Sequence, residues 1–251
     1  MIQILPLCGI SEVQPDSDLG ALLIHALDEA GIVPEDHDVL VVTQKIVSKA
    51  EGRFADLGDV TPGEAARALA DVTRKDPRLV QLVLDESATV LRAVPNVLIT
   101  RHRSGHIMAN AGIDRSNIGG GSDERALLLP WDADASAEGL RRQLAARWSN
   151  PPAVVISDSF GRPWRYGVVN VAIGVSGLPS LVDRRGELDR DGRPLEVTQV
   201  ALADMLATAA GLATGEGAEG VPAALVRGLA WSGAAAPASA LIRPLEEDLF
   251  Q

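Results

Sequence analysis

Apolar positions recur at helical spacing over residues 19–30, between the turn-forming Gln14-Pro-Asp-Ser-Asp18 and Gly31, and this pattern predicts a capped helix. Residues 38–43 follow with an uninterrupted β-branched centre, which suits a strand covered on both faces. Thr61-Pro-Gly-Glu64 has the form of a capping box, and Asp76-Pro77 repeats the cap-plus-proline device ahead of a helix expected over 79–92. Extended segments are expected at 97–100, 106–109, 127–129, 153–157 and 168–175, with a helix between them at 136–148. An Ala- and Leu-rich helix at 197–213 and a strand at 223–227 complete the pattern. The order is neither strict βαβ alternation nor separate blocks, so the expected class is α/β, or mixed α+β, with a mixed sheet.

Composition narrows the picture. The chain has 251 residues, 46% of them hydrophobic, enough for one large domain or two small ones. Its formal charge of −11 opposes nucleic acid and anionic membranes, so any polyanionic ligand has to be gathered locally. With aromatics at 3%, stacking platforms for single-stranded nucleic acid are not expected. The single cysteine, Cys8, forbids an intramolecular disulfide and fits a reducing cytoplasm. No secretory leader is expected, because the first basic residue is Lys45, and no apolar run approaches the ~20 residues of a membrane span.

Three polar segments carry candidate chemistry. Thr43-Gln-Lys45-Ile-Val-Ser48-Lys49-Ala-Glu51-Gly-Arg53 sets cations straight after the 38–43 strand, where ligands of open sheets gather. A solvated loop or helix N-terminus bridged to Glu51 is the alternative there. Asn110-Ala-Gly-Ile-Asp114-Arg-Ser116-Asn117, followed by Gly119-Gly-Gly121, supplies hard oxygen ligands suited to Mg²⁺ or Mn²⁺, although Asp and Asn also favour ordinary turns. Ser157-Asp158-Ser159-Phe-Gly161-Arg162-Pro-Trp164-Arg165 sets a carboxylate and hydroxyls beside two guanidiniums, an arrangement suited to phosphoryl chemistry. The alternative is a structural Asp–Arg pair with Trp164 in the core. Gly215-Glu-Gly217-Ala-Glu-Gly220 matches G-x-G-x-x-G, but a helix precedes it and a strand follows, the reverse of a dinucleotide fold. There is no Walker A sequence, no G-x-S-x-G elbow and no zinc spacing among the four histidines.

Read together, these segments resemble the coenzyme F-420-0:gamma-glutamyl ligase family. The resemblance is carried by Ile4-Leu-Pro-Leu with Gly9-Ile-Ser-Glu12, by 42–53, 110–117 and 157–165, and by Ala172-Ile-Gly-Val-Ser-Gly177. Asp183-Arg-Arg-Gly186 with Asp189-Arg-Asp-Gly192, and Thr198 with Ala203-Asp204, extend it over nearly the whole chain. It implies a GTP-dependent amide ligase with two divalent ions, Mg²⁺ or Mn²⁺, and K⁺ as a candidate further cation. The substrates implied are F-420-0 and L-glutamate, joined through an acyl phosphate. Carried over by position, the nucleotide contacts are Ile10, Ser11, Glu12, Val13, Gln44, Lys49 and Asn117, with Thr214, Gly215 and Gly217 of the glycine-rich loop. Asp114 and Asp158 hold the first metal, and Ser159 and Glu216 the second. Gln44 stands where the family often has Ser, and Ser159 where it often has Thr. From their chemistry, Arg162 and Arg165 are expected beside Asp158 as catalytic groups, on phosphate or substrate carboxylate. The implied fold is an intertwined homodimer of two-lobed chains, 1–84 plus 176–251 forming one lobe and 85–175 an inserted one, without the nitroreductase-like domain fused to some members. Two other readings stay open: a ligase of the same chemistry acting on another carboxylate, and a non-catalytic GTP- or deazaflavin-binding protein.

Overall fold

A computed structural model describes residues 1–119 and 124–248; Gly120 and Gly121 of the triple-glycine segment lie outside the described residues. The chain opens with strand β1 (Gln3–Pro6), then helix α1 (Leu19–Glu29), β2 (Val39–Thr43) and α2 (Gln44–Ala50). Asp18 caps α1, its side chain accepting from Ala21 N, and Gly31 beyond the end adopts φ +65°. β3 (Phe54–Asp56), α3 (Glu64–Thr73), α4 (Pro77–Asp85), β4 (Ser87–Val94), β5 (Val97–His102) and β6 (Ile107–Ala109) come next. The rest comprises β7 (Arg125–Leu127), α5 (Ala133–Ala145), β8 (Ala153–Arg162), β9 (Arg165–Ser176), β10 (Val182–Asp183), β11 (Gln199–Val200), α6 (Leu202–Thr214) and β12 (Ala223–Arg227). This is a mixed α/β architecture with four sheets among the described residues.

The main sheet has the order β1-β12-β2-β8-β9, with β2 and β8 parallel and the other pairs antiparallel. β2 shows why it sits near the centre. Val39 and Val41 point to one face and pack with Ala203, Leu206, Ala207 and Ala210 of α6. Leu40 and Val42 point to the other and join Leu23 and Leu27 of α1 and Leu140 and Leu144 of α5. Helices therefore cover both faces, and a strand with two buried faces has no need of polar alternation. A smaller core joins α3, α4, Leu98 of β5, Ala111, Ile113, Ala126 and Leu128. The inserted lobe expected over 85–175 maps onto several sheets: β4, β5 and β6 form their own, β7 pairs with β3, and β8 and β9 belong to the main sheet.

Several expectations are corrected. The helix expected over 79–92 stops at Asp85, and Ser87–Val94 is a strand paired with β5. Asp76 does cap α4, accepting from Arg78 N at 2.8 Å, but Thr89, Val90 and Val94 are β-branched and cross-strand pairing takes them over. Thr61 is not a helix cap. α3 starts at Glu64 behind Gly63, whose N–H donates instead to Gln81 Oε1 of α4. The helix expected from 197 starts at Leu202, after β11. β8 runs past Ser157 to Arg162 because β9 pairs with it along that length. β1, which is not among the expected strands, is an edge strand beside β12, a place where proline is tolerated.

Candidate functional site

A cavity of about 550 Å³ opens where the sheet's functional ends converge. Thr43, at the carboxyl end of β2, pairs with Ser157 in the parallel β8. The loop before β12 reaches the same edge, since Ala223 pairs with Val42, and so does the chain leaving β1, since Pro6 pairs with Ala224. Residues far apart in sequence thereby face one space: Ile10, Ser11, Glu12 and Val13; Gln44 and Lys49; Asp114 and Asn117; Asp158 and Ser159; and Thr214, Gly215, Glu216 and Gly217. Arg162 and Arg165 are not brought there. They flank the tight turn of the β8–β9 hairpin, where Arg162 donates to Tyr166 O at 3.1 Å, and Trp164 between them is 85% exposed rather than in the core.

Local structure fixes the lining. The segment after β2 is the short helix α2, not a loop, so Gln44, Lys45 and Lys49 are presented from a rigid support and Ser48 donates to Gln44 Oε1 at 2.9 Å. Lys49 is almost fully buried, and its ammonium lies 2.5 Å from Glu12 Oε1. Asn117, in the left-handed region at φ 53°, donates from Nδ2 to Gly217 O at 2.9 Å and ties the 114–119 segment to the glycine-rich loop. That loop departs from α6 through Gly215 at φ +69°, where an added Cβ would stand 2.2 Å from the Glu219 carboxyl carbon. The order is helix, loop, strand, as the sequence implied.

Electrostatics single out the acids. Burial pushes the Asp158 carboxyl up to about 7, and the charges of Asp114 and Glu216 push the same way against the Ser159 N–H and Lys45. Burial also raises Asp114, but Lys45 at 2.5 Å and both donors of Ser116 outweigh it and hold that carboxyl below its ordinary value. Crowded carboxylates of this kind, with hydroxyls beside them, are hard-cation chemistry. Among the described residues no three His, Cys, Asp or Glu side chains form a ready-made metal cage. Such a donor set suits an ion that keeps waters and takes phosphate oxygens as further ligands. Thr214 Oγ1, buried at the cavity wall, has no hydrogen-bond partner.

A sequence model of the family described as F420-0:Gamma-glutamyl ligase matches residues 9–228. The chain belongs to this ligase family. A relative from Methanothermobacter thermautotrophicus, named coenzyme F420:L-glutamate ligase, is 43% identical over 248 residues, covering 97% of this chain and 96% of its own. Relatives of the same name from Natronomonas pharaonis and Methanopyrus kandleri are 46% and 44% identical, over 96% and 87% of this chain and 90% and 83% of theirs. For this member of the ligase family, the cavity gathers all the residues to which the resemblance gave nucleotide or metal contacts.

A second cavity, of about 470 Å³, was not foreseen from the sequence. Arg53, Glu86, His102, Arg103 and His106 line it together with the 129–134 segment. Arg53 and Arg103 both donate to Glu86, and Trp131 lies over the Arg53 guanidinium at 3.6 Å. These groups come from separate segments with no motif in common. In the sequence, Arg53 stands out only as the end of the 43–53 segment, and the polar run 101–106 across the β5–β6 turn marks the histidines and Arg103. No helix among the described residues is long and apolar enough to cross a membrane.

Proposed function

We propose that this protein joins L-glutamate to the terminal carboxylate of coenzyme F420-0, using GTP and two divalent ions. The observation that carries the proposal is the convergence, in one cavity, of the residues to which the family resemblance gave nucleotide and metal roles. The names of the relatives agree with the substrates. Asp114 and Asp158 would hold the first ion, Mg²⁺ or Mn²⁺, and Ser159 and Glu216 the second. K⁺ is a candidate third cation. When bound, the divalent ions supply Lewis acidity that draws negative charge from the transferred phosphoryl group.

The chain's own residues do the positioning. Lys49, held dry beside Glu12, offers a fixed positive charge to the polyphosphate, and Asn117 and the turn at Gly215 offer further polar contacts from the cavity lining. A carboxylate oxygen of F420-0 attacks the γ-phosphorus, the bridging P–O bond to the β-phosphate breaks, and GDP leaves. The amine of glutamate then attacks the acyl carbon, the C–O bond to phosphate breaks, and an amine proton passes to solvent as the amide forms. Such a path needs charge compensation above all, because a carboxylate and a polyphosphate repel each other.

The same reading makes the protein a homodimer. Tyr166 and Val168 of the β8–β9 hairpin are exposed, surface of the kind that an interface covers, and this supports the reading. Light scattering should then give twice the 26.4 kDa chain mass. For the reaction, purified protein is incubated with F420-0, L-glutamate, GTP and Mn²⁺, and products are weighed by mass spectrometry. Products heavier by whole glutamyl residues, dependent on both GTP and metal, are expected. Metal-dependent GTP binding without product would move the search to another carboxylate substrate.

A further inference from the structure

Lys45 has no role in the reading above, yet its contact with Asp114 is as short as that between Lys49 and Glu12. It stands at the second position of α2, and its ammonium reaches across to Asp114 Oδ2 at 2.5 Å and to Ser116 O at 2.7 Å. Both side chains are about a quarter exposed, so the pair faces the cavity rather than the core. Asp158 also feels the Lys45 charge as a favourable one, so a single ammonium serves two neighbouring carboxylates.

An ammonium at this distance fills the coordination space of the oxygen it touches. A divalent ion of the magnesium type binds carboxylate oxygen at about 2.0–2.1 Å and could not share Asp114 Oδ2 with it. Lysine suits temporary occupancy, being a compact charge on a flexible four-carbon stem with no fork geometry to hold it in place. Once displaced, the stem stays anchored on α2, between Gln44 and Lys49, on the wall read above as facing the polyphosphate. There the ammonium meets phosphate oxygens as a point charge.

We infer that Lys45 is a built-in placeholder cation, which pairs with Asp114 at the first metal position until a divalent ion takes that carboxylate, and then turns to the transferred phosphoryl group. This rests on the metal-dependent reading of the site proposed above. A different role is that of a brace, in which Lys45 merely holds the 114–116 turn through Ser116 O. The two roles predict opposite signs for the metal affinity of a variant.

The test is Mn²⁺ titration by calorimetry, without nucleotide, on wild type, Lys45→Met and Lys45→Gln, the last keeping a donor for Ser116 O. Loss of a partly exposed competing pair should tighten Mn²⁺ binding by about fivefold to tenfold in both variants. The metal-free melting midpoint should fall, since Asp114 loses its partner, and saturating Mn²⁺ should restore it to the wild-type holo value. Turnover with GTP should drop about 100-fold despite the tighter metal, as for loss of one charge-stabilising group. Unchanged or weaker Mn²⁺ binding in both variants would overturn the placeholder and leave the brace. A wild-type protein that takes up no Mn²⁺, alone or with GTP, would instead overturn the metal reading itself, and this inference with it.

Discussion

Asp158 and Asp114 face one cavity, yet their carboxyls are shifted in opposite directions. Burial, reinforced by two neighbouring acids, raises Asp158 to about 7, whereas Lys45 and the Ser116 donors keep Asp114 low. Asp158 is thus the group that a bound divalent ion would relieve most. Asp158→Asn keeps shape and polarity and removes only the charge. Turnover should fall at least about 100-fold, the scale on which single charge-stabilising groups act. The circular dichroism spectrum should stay that of the wild type, and the metal-free melting midpoint near neutral pH should rise rather than fall, because the charge removed is one that burial disfavours. Wild-type turnover under saturating Mn²⁺ would remove Asp158 from the mechanism. Lys49 makes the complementary case. Lys49→Met should raise KM for GTP more than it lowers kcat, because its contact belongs to nucleotide binding, and steady-state kinetics at fixed F420-0 separates the two. An unchanged KM would show that the Lys49–Glu12 pair is structural.

Among the elements, the β9–α5 contact determines how closely the helical layer approaches the sheet. Gly174 lies buried on β9, and an added Cβ would come 2.1 Å from the backbone oxygen of Ala133 at the start of α5. Backbone cannot rotate away as a side chain would, so Gly174→Val has to push the helix outward. A destabilisation of about 1–3 kcal/mol is expected, as for overpacked cores generally, and urea denaturation reads it directly. Wild-type stability in that variant would mean that α5 sits more loosely than its contacts imply. Elements with a strong local signature were legible in the sequence. β2 was, because its buried run is bounded by polar residues, and so was α1, because Asp18 and Gly31 bracket it. The end of α4 was not legible, since nothing in Asp85-Glu-Ser87 breaks a helix and only pairing with β5 turns the chain to strand. Asp158 and Ser159 fell outside the strand expected at 153–157 because polar residues after an apolar run look like its end. They are polar because that end of β8 lines the cavity. Arg162 and Arg165 were assigned from side-chain chemistry alone, which says nothing about the hairpin that carries them past the cavity.

For the molecule as a whole, acid stability depends partly on a group outside the candidate site. Burial lowers His106 to about 4, the nearby His102 adds to the effect, and Asp134 opposes it. Its Nδ1 shares a hydrogen bond with Ser104 Oγ, and its ring meets Phe160 edge-on at 5.9 Å between centroids. The folded protein therefore binds this proton less readily than the unfolded chain. Its contribution is complete above about 6.5 and is lost as pH falls toward about 4, to a total of at most about 3 kcal/mol. Melting midpoints of wild type and His106→Gln, followed from pH 7 to pH 4, should converge at the acid end. Parallel curves would show that His106 titrates as it does in the unfolded chain.

The strand order of the main sheet has a consequence for how the protein is made. Of the strands in this sheet β1 is synthesised first, but its partner is β12, synthesised last of the five. At ribosomal speeds of roughly 5–20 residues per second, the interval between them is on the order of tens of seconds. Through that time the opening strand, and residues 10–13 behind it, lack their place in the sheet. The nascent chain can close its smaller core early, but the ligand-facing edge is completed only as the C-terminal strand slides between β1 and β2. Translation therefore delivers the cavity as one of its final products, and a chain released before Ala223 is a sheet with a gap between β1 and β2.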